Sequence, residues 1–242
     1  MTTPTYQRGI SCAQLNLHRS HLAKKHLDAS TSGIQLLQEP PENAGGSLSL
    51  SHPGYKAFSR PPGGARPRAA IRVTKEFTAV MLTQFTNRDL VACSVRGVRH
   101  DFVVASVYCD TNGPVIPAGL ANLVQHCQDK HLPLLIGADS NAHSTLWGPD
   151  QNERGTEMED FLFAYDLLVL NDGLKPTWAQ NERTSFIDIT LLNRYAADKN
   201  YGESWEVSDE ESFSDHKMLT FDIVAPERSV PQKRNMKRIN WP

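Results

Sequence analysis

Residues 134–148 read LLIGADSNAHSTLWG, and the change of character inside this stretch decides the fold. Leu134, Leu135 and Ile136 have the look of a buried strand, yet the run does not close in an ordinary turn. It closes in Asp139, Asn141 and His143. Turn chemistry accounts for a single Asp or Asn, because both bond their own main chain and tolerate tight geometry. Three polar groups at alternate positions ask for more. On an extended segment, side chains two apart share a face, so these three are placed to point into one cleft beyond the strand end. Strand-based scaffolds commonly carry catalytic groups there.

Outward from this stretch, strand-like segments recur at 10–17, 34–37, 69–73, 78–82, 90–95, 102–108, 132–136, 186–192 and 218–224. Helical spacing fits 20–29, 117–130 (Leu120, Leu123, Val124, Cys127) and 156–165 (Met158, Phe161, Leu162, Tyr165). Strand runs with occasional helices predict an α+β sandwich, in which two sheets pack face to face and helices cover the outside. The 242 residues are enough for a core that needs no disulfide or metal staple. One domain over residues 1–226 is expected, followed by a basic linker or tail over 227–242 that carries Lys233, Arg234, Lys237 and Arg238.

No apolar run approaches the roughly 18 residues of a membrane span. The start, MTTPTYQRG, has no signal-peptide character, and Cys12, Cys93, Cys109 and Cys127 show no paired metal-ligand spacing. Reduced core thiols in an intracellular protein are therefore expected, with no membrane partner. The net charge of -2 gives no global basic field. Arg60, Arg66, Arg68 and Arg72 sit in or beside a Pro- and Gly-rich stretch and form either a local basic patch or solvated loops. The segments 40–54 and 59–68, like the tail, are expected to be exposed.

Polar residues also break the apolar pattern elsewhere: Asn16 in QLNL, Glu39 in IQLLQEP, Tyr108 in FVVASVY, Asp188 in SFIDITLL, and Asp215 with His216 before KMLTFDIV. Each alone has a bland reading as a bulge, a solvated end or a core-edge tyrosine. Asp188 says more, because a carboxylate inside an apolar strand is costly unless paired, and a histidine would serve. The patterns GxSxG and GxxxxGK are both absent, so serine-nucleophile and P-loop chemistry recede. Carboxylates (Glu39, Asp139, Asp215), amides (Asn16, Asn141), a tyrosine hydroxyl and a histidine suit a hard oxygen-seeking cation such as Mg²⁺ together with a phosphate. A histidine held by a carboxylate then suits water activation.

The ordered set Asn16, Glu39, Tyr108, Asp139 and Asn141 in GADSN, Thr177 in PTW, Asp188 in FIDITL and Asp215 with His216 in SDHKML resembles the exonuclease, endonuclease and phosphatase superfamily over about residues 10–224. More narrowly, GADSNAHSTLWG, the short PTW to FIDITL segment and FSDHKML resemble the apurinic-type endonuclease domain of non-LTR (LINE-type) retrotransposons. The resemblance implies a four-layered α/β sandwich, two packed mixed β-sheets flanked by helices, with the site at one end. It implies that Glu39 ligates a divalent metal, Mg²⁺ with Mn²⁺ as a substitute, with Asn16 and Asp215 in or near the shell. It further implies that Asn141 and Tyr108 hold the scissile phosphate and that Asp188 orients His216. Either Asp139 or His216 takes the proton of the attacking water. The implied activity is nicking of double-stranded chromosomal DNA in the nucleus, leaving a 3′-hydroxyl that primes a reverse transcriptase in the same polyprotein. An abasic-site repair endonuclease, a phosphoesterase of the same superfamily and a silent DNA-binding module are the alternatives. Ala138 and Pro40 depart from the usual pattern without removing a functional side chain.

His143 and Trp147 fit either helix-start packing or DNA contact. The sequence PTWAQNERTSFID reads as two short strands joined by a four-residue polar loop, Gln180 to Arg183, beside the site. Thr177, Gln180, Asn181 and Arg183 are the DNA-contact candidates. Glu39 and His216 are both expected at exposed strand ends.

Overall fold

The structure is a computed structural model that describes residues 9–60, 65–96 and 101–223. In chain order the first elements are β1 (Ile10–Asn16), α1 (His21–Asp28), β2 (Ile34–Gln38), β3 (Tyr55–Ser59), β4 (Ala69–Thr74), β5 (Ala79–Met81), β6 (Leu90–Val95) and β7 (Phe102–Tyr108). Then follow α2 (Leu120–Asp129), β8 (Leu134–Asp139), α3 (Glu153–Ala164), β9 (Leu167–Val169), β10 (Trp178–Gln180) and β11 (Arg183–Ser185). The chain closes with β12 (Asp188–Asn193), α4 (Arg194–Ala197), β13 (Tyr201–Val207) and β14 (Leu219–Ile223). One sheet runs β13-β14-β1-β2-β4-β3, the other β5-β6-β7-β8-β12-β9, and β10-β11 is a separate hairpin. Among the described residues no helix is long and apolar enough to cross a membrane.

Alternation along the strands builds four layers. Cys12, Ile34, Leu36, Ala69, Ile71 and Val73 of the first sheet meet Val91, Cys93, Val95, Phe102, Val104, Leu135 and Leu192 of the second in one buried cluster. The opposite face of the first sheet, with Ala13, Leu15, Leu37 and Ala70, packs on Ala23 and Leu27 of α1. The opposite face of the second, with Val103, Ala105, Ile136 and Ile189, packs on α2 and α3. The protein is thus an α+β sandwich of two mixed sheets with helices outside.

Along the face between the sheets the side chains change in steps of two residues. Apolar Cys12, Leu36, Val104, Leu135 and Leu192 give way to Gln14, Gln38, Ser106, Gly137 and Thr190, and four of these in turn to Asn16, Tyr108, Asp139 and Asp188, while Glu39 follows Gln38 directly. The middle layer bridges the sheets. Gln14 Nε2 donates to the carbonyls of Ala138 (3.2 Å) and Ile189 (3.3 Å), and Thr190 Oγ1 donates to Gln14 Oε1 (2.9 Å). Gln38 Nε2 donates to Ser106 Oγ (3.0 Å) and the Gly137 carbonyl (3.1 Å). A Cβ on Gly137 would stand 2.8 Å from both Gln14 Oε1 and Leu36 Cδ1, so the close approach of the sheets requires glycine there.

Several sequence expectations need correction. Pro40, Pro41 and Leu50 are buried, so segment 40–54 is not a free loop. Arg68 and Arg72 do not form a surface basic patch. Arg72 is fully buried on β4, with Nη1 2.9 Å from Asp28 Oδ1 of α1 and its guanidinium 4.6 Å over the Tyr55 ring. Breaking that pair strands a buried charge, so Asp28→Ala is expected to lower unfolding stability by about 3 kcal/mol in a urea titration. Helix α3 begins before the expected residue 156 because Asn152 caps it, accepting from Gly155 N at 2.7 Å. The four cysteines are free and buried. The tail over 227–242 lies outside the described residues.

Candidate active site

The topology gathers one end of every central strand. β1 and β2 run parallel, as do β7 and β8, so Asn16, Glu39, Tyr108 and Asp139 stand at neighbouring C-terminal ends. β14 and β12 are antiparallel to these neighbours, so the residues that enter them, Asp215 with His216 and Asp188, arrive at the same end. A cleft of about 350 Å³ results, lined by His18, Glu39, Tyr108, Asp139, Asn141, His143, Trp178, Asp215 and His216 among others.

One wall is a buried dyad. His216 Nδ1 lies 2.8 Å from Asp188 Oδ2, and the second Asp188 oxygen is buried with no hydrogen-bond partner among the described residues. Asp139 pairs with Asp188 across the strands and accepts from Asn16 Nδ2 (2.7 Å) and, more weakly, Asn141 N (3.3 Å). Burial disfavours the His216 imidazolium, but the charge of Asp188 and its hydrogen bond, with Asp139 and Asp215, outweigh it and push the pKa up to about 9. Burial and then the Asp188 charge push Asp139 up to about 7, against the opposing pull of His216 and Asn16. The pair therefore offers a carboxyl that exchanges a proton near neutrality beside a cation.

The other wall is acidic. Glu39 follows β2 with φ +42°, a left-handed conformation unusual for a side-chain-bearing residue. Main-chain bonds hold it: Glu39 N donates to Arg68 O (2.8 Å) and Arg19 N donates to Glu39 O (2.9 Å). Arg19 Nη2 lies 3.3 Å from its carboxylate. Burial alone would raise the Asp215 pKa, but hydrogen bonds with His18 (2.6 Å) and from Trp178 Nε1 (2.9 Å) outweigh it and keep the carboxyl below its ordinary range. Glu39 and Asp215 are oxygen donors beside an open cleft, which fits a hard divalent cation that keeps several waters. Asp139, Asp188 and His216 form a tighter group of possible ligand atoms, all within 4.8 Å of one another. Those three are buried, and the dyad and Asn16 already engage several of their atoms, so the acidic wall fits better.

Two arginines that the sequence reading left without a role brace this end. Arg68 donates to Asp89 (2.6 and 2.8 Å) and Asp110 (2.7 Å) and lies 4.5 Å over the Tyr108 ring. Burial, with Glu39 and Asp139, pushes the Tyr108 phenol up to about 12, so it stays a donor. Arg154 donates to the carbonyls of Asn141 (3.0 Å), Asp110 (3.0 Å) and Gly113 (3.1 Å), tying both loops to α3. His18 and Trp178, both beside Asp215, are the other omissions.

Asp139, Asn141 and His143 do share the cleft, but not by strand alternation. Asn141 has φ +46°, so the chain turns there rather than continuing extended. His216 is only 6% exposed, against the expectation of an exposed strand end. Asn16 is buried, and its oxygen accepts from His18 N at 2.8 Å, so the structure places it behind Asp139 rather than in the open cleft. Thr177 is fully buried, and its hydroxyl accepts from Ile187 N (3.1 Å) and Asp188 N (3.0 Å), which removes it from the DNA-contact candidates. Trp147 is core, donating to Ala142 O at 3.3 Å. Gln180 pairs with Arg183, so the hairpin turn is two residues, Asn181 (φ +54°) and Glu182, rather than four. Gln180, Asn181 and Arg183 are exposed near its tip.

The family described as endonuclease-reverse transcriptase matches residues 102–220. The putative 115 kDa protein in type-1 retrotransposable element R1DM of Drosophila melanogaster is 27% identical over 226 residues, 87% of this chain and 21% of that protein. The chain thus spans about a fifth of the length of that relative. The endonuclease domain of TRAS1, a telomere-specific non-LTR retrotransposon, superposes with a TM-score of 0.76 at 25% identity, covering 90% of this chain and 99% of that domain. The 3′ phosphatase NExo from Neisseria, bound to a product DNA hairpin, shares the fold at 15% identity, with a TM-score of 0.60, 88% of this chain and 99% of the other being covered. With the ordered end-of-strand residues, these likenesses make the chain similar to the apurinic-like endonuclease domains of non-LTR retrotransposons.

Proposed function

We propose that the chain is a divalent-metal-dependent endonuclease that hydrolyses one strand of double-stranded DNA and leaves a 3′-hydroxyl. The observation that carries this reading is the shared cleft, in which a neutral-range carboxyl and an imidazolium line the same space as Glu39 and Asp215, with His216 Nε2 4.0 Å from Asp215 Oδ1. Asp139 accepts the proton of the attacking water, because its pKa near 7 suits a general base at neutral pH. His216, held charged by Asp188, stabilises the phosphate oxygens as the P–O3′ bond breaks. Tyr108 and Asn141 donate to the same phosphate from the second sheet. A divalent cation, Mg²⁺ with Mn²⁺ as a substitute, supplies positive charge to the phosphate and the departing oxygen when held by Glu39 and Asp215. Asn16 acts on the shell only indirectly, by orienting Asp139.

Action on chromosomal DNA in the nucleus, and a reverse transcriptase in the same polyprotein that extends the 3′-hydroxyl, belong to the same reading. Its support is the family description and the R1 relative. Incubation with supercoiled plasmid and Mg²⁺ is expected to give nicked circles whose ends a polymerase extends directly, and chelator should abolish them. Faster cleavage of an abasic duplex than of intact duplex would replace this reading with a repair enzyme. Turnover of small phosphoesters without nicking would replace it with a phosphatase.

The β10–β11 hairpin projects beside the cleft with Gln180, Asn181 and Arg183 exposed, a shape suited to entering the adjacent minor groove and sensing its width. Replacing Gln180 to Arg183 with Gly and Ser should redistribute cut positions on a defined duplex with modest loss of total nicking. Arg183→Ala alone should narrow discrimination between good and poor sites by about 1–2 kcal/mol. An unchanged ladder in both variants would return the hairpin to an ordinary turn.

A further inference from the structure

The root of the β10–β11 hairpin is joined to the segment that carries Asp215 and His216. Ala179 N donates to Asp215 O (2.8 Å), Lys217 N donates to Thr177 O (2.6 Å), and Trp178 stands opposite His216 in an antiparallel bridge. The two segments therefore form a short ribbon at the mouth of the cleft. Within it, Trp178 Nε1 donates to Asp215 Oδ2 at 2.9 Å. The other oxygen, Oδ1, lies 2.6 Å from His18 Nδ1 and accepts from Ser214 Oγ at 3.4 Å. An Asp in a loop samples several rotamers, and a fixed donor on each oxygen removes that freedom.

The two sides differ chemically. The His18 ring is half exposed, and its nitrogens can themselves ligate a cation. An indole N–H only donates and has no lone pair for a cation. Trp178 can thus hold the carboxylate without competing for whatever the carboxylate binds.

We propose that Trp178 is a positioning residue for the hydrolysis, its indole N–H fixing the Asp215 carboxylate toward the metal, which makes the hairpin root part of the rate-setting machinery. This rests on the reading that Asp215 belongs to the metal shell. The hairpin then has two separable ends. Its tip acts on which DNA is held, and its root acts on how fast the held DNA is cut.

Trp178→Phe keeps an aromatic ring and deletes the donor. In the full chain, Mn²⁺ titrated calorimetrically is expected to bind about 10-fold more weakly, and single-turnover nicking should slow by about 10- to 100-fold, the usual scale for losing a ligand's hydrogen-bond partner. KM for plasmid should stay within about two-fold, since no DNA contact is removed. In an Asp215→Asn background the same change should add no further loss of Mn²⁺ affinity, because residues acting through one group are not additive. Additive losses would assign Trp178 a general structural role and overturn the proposal, whatever the variant's melting temperature. Unchanged Mn²⁺ affinity and rate in Trp178→Phe, with both impaired in Asp215→Asn, would overturn the Trp178 role alone. Unchanged Mn²⁺ affinity in Asp215→Asn would instead remove Asp215 from the metal shell, and the proposal with it.

Discussion

Glu39→Ala is expected to lower the rate of plasmid nicking by about three orders of magnitude or more while leaving the melting temperature within a few degrees of the parent protein. The side chain lines the cleft, 14% exposed against the expectation of an exposed strand end, and among the described residues its one ion pair is with Arg19, so its loss removes chemistry more than packing. The left-handed backbone at this position is held by main-chain bonds that alanine keeps. His216→Ala should be as inactive but less stable, since it leaves a cavity and an unpaired buried Asp188. His216→Gln retains a donor for Asp188 and separates the two effects. A folded Glu39→Ala or His216→Gln variant with near-native nicking would show the role assignment to be wrong.

Asp188→Asn is the second large effect. It keeps the shape of the dyad and deletes the charge that does most to hold His216 protonated, so burial weighs more and the imidazole loses its proton at lower pH. Nicking should fall by about 100-fold or more. In the parent protein the pH–rate profile should rise through about 7 as Asp139 ionises and fall through about 9 as His216 deprotonates, the two values belonging to the coupled pair. In Asp188→Asn the alkaline limb should move to lower pH. Stability follows the same protons. Both groups hold a proton more tightly folded than unfolded, so each contributes stability at low pH. That contribution is lost as pH rises through about 7 for Asp139 and about 9 for His216. Between pH 7 and 9 the melting temperature of Asp188→Asn should therefore fall less steeply. An unchanged alkaline limb in the rate profile would count against the dyad.

Much of this site was legible because polar groups at strand ends violate the apolar period, and a violation that expensive marks a function. Asp188 inside SFIDITLL asked for a partner, and the structure supplies His216. Thr177 misled for the opposite reason: a short hydroxyl has many uses, and here two backbone N–H groups absorb it. Arg68 and Arg72 misled because composition describes a neighbourhood, whereas burial depends on what lies opposite: Asp89 and Asp110 hold Arg68, just before β4. Asp28, far away in sequence, stands opposite Arg72. The strands that went unread are those with little to bury. β3 buries only Tyr55, β9 has three residues at a sheet edge, and β13 is broken by register shifts that erase its alternation. His18 and Trp178 gave no local signal, since what matters about each is a carboxylate nearly 200 and 37 residues away, respectively.

The amide layer formed by Gln14 and Gln38 has a bearing on how this protein fails. Residues from both sheets meet at the cleft, and those two glutamines set the gauge between the sheets. A core substitution far from the cleft that lets the sheets drift apart by a fraction of an ångström would leave the secondary structure standing while the reacting groups lose their alignment. Inactivation on warming should accordingly precede the loss of circular dichroism, and the catalytic rate becomes a strain gauge for the sandwich.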